Sequence, residues 1–258
     1  MLWKLSSPGT PFDSYLVGTM HASAPEAFAH IGPILSCIDR CAAFAAEFPL
    51  DGDADAQAAA LLLPGGTTLQ DYIAPRHYAR LRRALLRYLG LDLGAYAQLH
   101  PLVIAQQIDI LLLSGTAHNL APLDLYLWQY AKQHGKTLLG IETQAEQQAI
   151  LASVPIDEQI RSLQHIGRNL RAHRQKLHTL AHLYATSDHV RLYRSARRSI
   201  GTMRKKLLLD RNAIMADRIA AVASQQPACF AIGAAHLGGG KGVLRFLKEK
   251  GIKWTKNP

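Results

Sequence analysis

Leu2 to Ser6 and Ser14 to Gly18 are short apolar runs on either side of "SPGTPFD", a stretch dense in turn formers, and the pattern predicts two strands around a tight connection. Beyond His21, "SAPE" offers Ser23 as a helix N-cap, Pro25 in the first turn and Glu26 three residues after the serine, so a helix is expected through Ile38. "CAAFAAEF" is a continuous apolar run closed by Glu47 and reads as a buried strand, although its alanines also suit a helix. From Ala54 to about Gln133 the spacing is mostly helical, punctuated by "LPGGTT", "IAPRH", "LHP" and "GTAHNLAP". "KTLLGIE" is another short apolar run and ends in Glu142. Helical spacing returns, with a long amphipathic helix expected from about Met203 to Gln225, and "ACFAIGAAHLGGGKGVLRFLKEKGIKW" reads as strand, loop, helix and final strand. The order predicts an α/β fold: a central, mostly parallel sheet with flanking helices, one domain over residues 1–258, and largely helical insertions at about 54–133 and 151–225 covering the carboxyl edge of the sheet.

Two of these strands end alike. "YLVGTMH" and "FAIGAAH" each close an apolar run with glycine, two residues and histidine, pairing Gly18 with His21 and Gly233 with His236. Glycine relieves the limits on backbone conformation and lets a strand turn sharply, bringing the following side chain over the sheet edge. In a parallel α/β sheet the carboxyl edge is where ligands bind. Glu47 and Glu142 also close strands, so parallel pairing would gather two imidazoles and two carboxylates at one rim. Two neutral imidazoles and a carboxylate are a competent ligand set for zinc, iron, manganese or cobalt, and such an ion lowers the pKa of its water towards ~7. The second carboxylate is then available as a general base or to orient an imidazole. The alternative is that the histidines cap buried strands by hydrogen bonding alone.

Charge changes the picture regionally. The net charge is +10, yet residues 161–206 hold twelve Lys and Arg against the single acid Asp188, leaving seventeen bases and eighteen acids elsewhere. Arg168, Arg171 and Arg174, and again Arg191, Arg194 and Arg198, have the spacing to share helix faces, which reads either as solvated helices or as a surface for acidic or phosphate-rich partners. No zinc finger, RRM-type aromatic platform or helix-turn-helix accompanies them, which disfavours nucleic acid. At 258 residues and 48% hydrophobic the chain can bury a sizeable core. No stretch approaches the ~20 apolar residues of a membrane helix and no export signal is visible, so the expected location is cytoplasmic as the sequence stands. Cys37, Cys41 and Cys229 are expected as small core residues rather than a disulfide framework or a metal site.

On the helix expected from Met203, Asn212 sits in a stripe with Leu208, Met215, Ile219 and Val222, and Arg211 at its margin. A buried guanidinium needs an anion, so Arg211 is expected to pair with an acid at the site, to receive an anionic substrate group, or to form a structural pair with an acid such as Asp124. Asp124 itself, in "APLDLYLWQYAKQHGK", is expected to open a helix, or to serve only as its N-cap. Other motifs fail. "GGGKG" has Ala235 and Gly242 where a phosphate loop needs glycine and Ser or Thr; "DGDAD" has Ala56 and Leu62 at essential calcium-loop positions; "HTLAH", with His178 and His182, lacks the glutamate of HExxH; and there is no Gly-x-Ser-x-Gly elbow.

"YLVGTMH", the "AEF" around Glu47, "GKTLLGIETQAEQ", "LLLDRNAIMADRI" and "FAIGAAHLGGGKGVLRFLKEKGIKW", in that order, resemble the TraB/GumN family over almost the entire chain. That family is similar to the TIKI proteases and more remotely to erythromycin-esterase and ChaN-like proteins. The resemblance implies a shared α/β fold and a metal-dependent peptidase using manganese or cobalt, with zinc as a third option. It matches His21 and His236 to the paired histidines, Glu47 to the carboxylate after the first motif, and Arg211 with Asn212 to an "RN" pair. The leading expectation is hydrolysis of a peptide or protein substrate, with His21, Glu47 and His236 holding the metal. Glu47 or Glu142 handles the proton, and Arg211 or Asn212 stabilises negative charge. Two other expectations stand beside it: a noncatalytic peptide- or pheromone-binding protein of the same fold, and a protein that binds an acidic ligand through its basic helices.

Overall fold

The turn-rich "SPGTPFD" folds the chain back on itself. In the computed structural model, which describes residues 1–52, 54–114 and 121–256, Leu2 stands opposite Val17 and Ser6 opposite Asp13 in an antiparallel pair. In chain order the described elements are β1 (Leu2–Ser6), β2 (Asp13–Thr19), α1 (Ile31–Asp39), β3 (Ala43–Ala46), α2 (Ala54–Ala60), α3 (Leu69–Tyr72), α4 (Pro75–Leu89), α5 (Pro101–Ser114), α6 (Leu123–Gln133), β4 (Thr137–Gly140), α7 (Gln144–Ser153), α8 (Ile156–Arg168), α9 (Leu170–Ala185), α10 (His189–Ile200), α11 (Asp210–Ala223), β5 (Ala228–Gly233), α12 (Val243–Glu249) and β6 (Lys253–Lys256). "GTAHNLAP" falls mainly on residues 115–120, and "DGDAD" includes residue 53; these lie outside the described residues.

The sheet has the order β4-β3-β5-β2-β1-β6. β2, β5, β3 and β4 run parallel, while β1 is antiparallel to both β2 and β6. The fold is therefore α/β with a mixed sheet whose central four strands are parallel. β3 and β5 are buried almost throughout, as expected of strands covered on both faces, and the alanines of "AFAA" sit between β4 and β5. β4 and β6 are the edges and are correspondingly more exposed, β6 carrying Lys253 and Lys256. Trp3, Leu5, Leu16, Phe44 and Phe230 are fully buried in the core around the sheet. The three cysteines are free and buried, and burial pushes the Cys41 thiol up to about 12.

Two helices differ from expectation. The cap position falls on Ala24 rather than Ser23, ahead of a 3₁₀ turn, Pro25–Phe28, and α1 starts afresh at Ile31. Pro33 explains the break, because a helix running continuously from Pro25 would leave the carbonyl four residues before it without a donor. The helix expected from Met203 is a 3₁₀ turn at Gly201–Met203, a π-helical segment at Lys205–Leu209 and then α11.

The chain divides into two compact units. The first comprises Met1–Leu50, Ala117–Gln147 and Leu180–Pro258 and contains the whole sheet. The second comprises Asp51–Thr116 and Gln148–Thr179. In it Tyr78, Leu81 and Leu85 of α4 and Ile160, Leu163 and Ile166 of α8 are buried, with α8 packed on both α4 and α5. His173 Nε2 lies 2.6 Å from Asp109 Oδ1, tying α9 to α5. Among the described residues no helix is long and apolar enough to cross a membrane.

Candidate functional site

Parallel pairing brings the ends of β2, β5, β3 and β4 to one rim of the first unit, with Thr19 opposite Gly233 and Ala46 opposite both Ala231 and Gly140. His21 follows β2, Glu47 follows β3 directly, Glu142 follows β4, and His236 ends the 3₁₀ turn Ala234–His236 after β5. The two motif glycines are needed for room rather than for conformation. Gly233 has φ −54°, and Gly18 is not among the positive-φ residues. A Cβ on Gly18 would run into Leu237 Cδ1 and Ala234, so the first motif packs against the turn of the second. A Cβ on Gly233 would lie 3.0 Å from Glu47 Oε1, 3.6 Å from His236 Cδ2 and 4.0 Å from His21 Nε2. Those three side chains thus surround one small space above Gly233.

Arg211 reaches this rim from the first turn of α11. Its Nη2 donates to Glu47 Oε2 at 2.8 Å and to Glu142 Oε2 at 2.6 Å, and its Nε donates to Glu142 Oε1 at 2.9 Å. Nη1 donates to Leu207 O in the π-helical segment at 3.0 Å and lies 3.4 Å from His236 Nε2. π-helical turns recur at functional sites because the extra residue re-aims side chains. The acid expected for Arg211 is therefore a pair, Glu47 and Glu142; Asp124 pairs elsewhere. Burial disfavours the guanidinium's charge, and Glu142 with Glu47 outweighs it and raises the pKa. Burial likewise opposes the charge on Glu47. His236, Arg211, His21 and the Gly233 N–H, which donates to Oε1 at 2.6 Å, outweigh it and hold the carboxyl down at about 2. Gln147 Nε2 donates to Glu142 Oε2 as well.

Both imidazoles are held from behind. Asn212, fully buried, turns its Nδ2 to Lys241 O at 2.6 Å, which leaves Oδ1 to face His236 Nδ1, also at 2.6 Å. An amide oxygen only accepts, so Nδ1 carries the proton and Nε2 keeps its lone pair, 3.8 Å from Glu47 Oε1. Burial pushes His236 down to about 4. His21 Nδ1 forms an ion pair with Asp124 Oδ2 at 2.7 Å, and that carboxylate is the main cause raising His21 to about 9. The His21 side chain is 46% exposed, so the rim opens to solvent on this side. Beneath it, the buried Tyr184 hydroxyl donates to Gly18 O at 2.8 Å.

Asp124 stands in the first turn of α6, as expected of a residue that opens a helix, but the cap is Pro122 and its charged partner is His21 rather than Arg211. Tyr184 and Gln147 carry no sequence signal for the site at all, since only folding brings them there. His178 and His182 are exposed on α9, and Arg174 Nε lies 3.4 Å from His178 Nε2.

The donor chemistry suits a divalent ion. His236 has its Nδ1 hydrogen-bonded to the Asn212 amide oxygen, the arrangement that orients metal-ligating histidines, His21 Nδ1 lies in ion-pair range of Asp124, and Glu47 adds a carboxylate beside the space above Gly233. Among the described residues, however, no three His, Cys, Asp or Glu side chains already converge as an ion-holding group, and Glu47 shares its oxygens with Arg211 and Gly233.

No curated protein and no solved structure matches the chain. A sequence model of the TraB/PrgY/gumN family matches residues 1–256, a span that holds both Gly-x-x-His motifs, both glutamates and the Arg211–Asn212 pair, and the chain belongs to that family.

Proposed function

We propose that this protein is a divalent-metal-dependent hydrolase acting on peptide bonds, with manganese, cobalt or zinc held by His21 Nε2, His236 Nε2 and Glu47. The observation that carries the reading is the gathering of His21, His236 and Glu47 around the space above Gly233, with the His236 ring held by Asn212. The ion would supply a Lewis acid that polarises a carbonyl and makes water nucleophilic near neutral pH. Glu142 steadies Arg211, whose guanidinium then stabilises the negative charge developing on the carbonyl oxygen. Glu142 Oε1, which accepts fewer hydrogen bonds than Oε2, is the oxygen that takes the proton. Asn212 keeps the His236 ring in one tautomer throughout. Acidic peptides are the favoured substrates: α10 exposes Arg194, Arg197 and Arg198, while its buried Leu192 and Tyr193 lie on the side that packs against the turn ending in His236.

A second reading, capture of a peptide without cleavage, is favoured by one observation. Arg211 is already neutralised by two carboxylates, so the cluster is also stable as a structural knot. A peptide library incubated with protein dialysed against each metal separates the two. Metal-dependent cleavage that His21→Ala and His236→Ala abolish supports hydrolysis. Saturable capture with intact peptides recovered supports binding alone.

A further inference from the structure

The first unit holds a cavity of about 370 Å³ that none of the side chains at the rim lines. Pockets for small molecules usually span about 300–1,000 Å³, so this one suits a ligand of a few heavy atoms. The buried Met1 and Leu2, at the start of β1, give it an apolar floor, while Pro33, Thr186 and Lys256 stand at its exposed side. His30 and Ser187 complete the wall, and the lining contains no acid.

The polar side of the wall is built from donors. Ser187, two residues past α9, has φ 55° and is the only non-glycine residue with a positive φ among the described residues. Glycine is the usual occupant after a helix end; serine there sets a hydroxyl 3.1 Å from His30 Nε2. The same Nε2 lies 2.8 Å from Ala185 O, and because a carbonyl oxygen only accepts, Nε2 carries the proton. Lys256 Nζ donates to Ser187 O at 2.9 Å, so within the cavity its charge meets a carbonyl and no carboxylate. α1 begins at this wall with His30 as its N-cap residue, no side-chain cap and no acid in its first turn, which leaves the positive end of the helix dipole unopposed. Burial and then neighbouring positive charge hold His30 below its ordinary pKa. An anion fits these charges, and the apolar floor calls for more than an inorganic one. We propose that the cavity binds a carboxylate carried on a short apolar body, either a free short-chain acid or the apolar C-terminal residue of a peptide. The body lies against Met1 and Leu2 and the carboxylate meets Lys256.

Isothermal titration of the full chain with acetate, butanoate and hexanoate tests this. Affinity should rise about fourfold per added methylene, the usual gain for a CH₂ leaving water. Hexanol and inorganic phosphate each lack one half of the ligand and should bind at least about tenfold more weakly than hexanoate. Lys256→Met should weaken hexanoate about tenfold or more with the unfolding midpoint unchanged, and Lys256→Arg should restore it. N-acetylglycylleucine and its C-terminal amide separate the two sources of carboxylate. Displacement of hexanoate by the acid alone assigns a peptide terminus, and displacement by neither assigns the free acid. No hexanoate binding at millimolar concentration overturns the proposal, as does affinity independent of chain length. So do displacement by the amide, binding that Lys256→Met leaves unchanged, and phosphate binding as well as hexanoate, which would mean an adventitious ion only.

Discussion

Arg211 is the residue on which the rim depends, because its single guanidinium pairs with two buried carboxylates that approach it within 2.8 Å. Arg211→Met should destabilise the protein by about 3–5 kcal/mol in urea unfolding, the usual cost of leaving buried charge unpaired. Adding Glu142→Gln to that variant should recover part of the loss, since one stranded charge disappears. The titrating groups give opposite pH signatures. Glu47 is depressed in the folded state, from 4.5 to about 2, so its contribution is present above pH 4.5 and lost as pH falls from there towards 2. His21 is raised from 6.5 to about 9, so its contribution is complete below pH 6.5 and lost as pH rises through 9. Unfolding midpoints measured across pH should therefore decline at both ends, and Asp124→Asn should flatten the alkaline decline alone. The same proton on His21 competes with a metal, so cobalt affinity should rise with pH up to about 9.

Strand ends and helix starts decide how closely these groups approach. Gly18→Ala puts a methyl into Leu237 and Ala234 and should cost about 1–3 kcal/mol, the usual range for overpacking. Gly240→Ala, with open space around it and no positive φ, should instead stabilise by up to ~1 kcal/mol. Thermal denaturation of the two variants checks both signs, and equal effects would show that close packing at the rim is not what Gly18 provides. At the π-helical segment before α11, a period of 3.6 residues reveals which face is apolar but not that the turn is wider. Arg211 Nη1 accordingly meets Leu207 O, a contact that no spacing argument predicts.

Charge acts on the scale of the whole molecule, and the structure divides it. The basic residues of α8 and of α9 up to Lys176 belong to the second unit, whereas Arg191 to Arg198 on α10 belong to the unit that carries the site. Arg194→Glu combined with Arg197→Glu and Arg198→Glu should raise KM for an acidic peptide several-fold and weaken its salt dependence, with kcat little changed, because these side chains attract rather than react. Steady-state kinetics at low and high salt measure this, and a fall in kcat at constant KM would remove α10 from substrate capture.

Apolar runs and their closing residues were enough to read the six strands, the burial of Phe44 and Phe230, and the placing of His21, Glu47, Glu142 and His236 at strand ends, because alternation, run length and glycine act over a few neighbouring residues. The repeated Gly-x-x-His pattern was likewise visible in the chain. Which acid meets which base was not, since Arg211 with Glu47 and Glu142, and His21 with Asp124, are contacts between residues far apart along the backbone. Those pairings follow from strand order and from the helix start pinned at Ala22, and both exist only once the sheet has assembled.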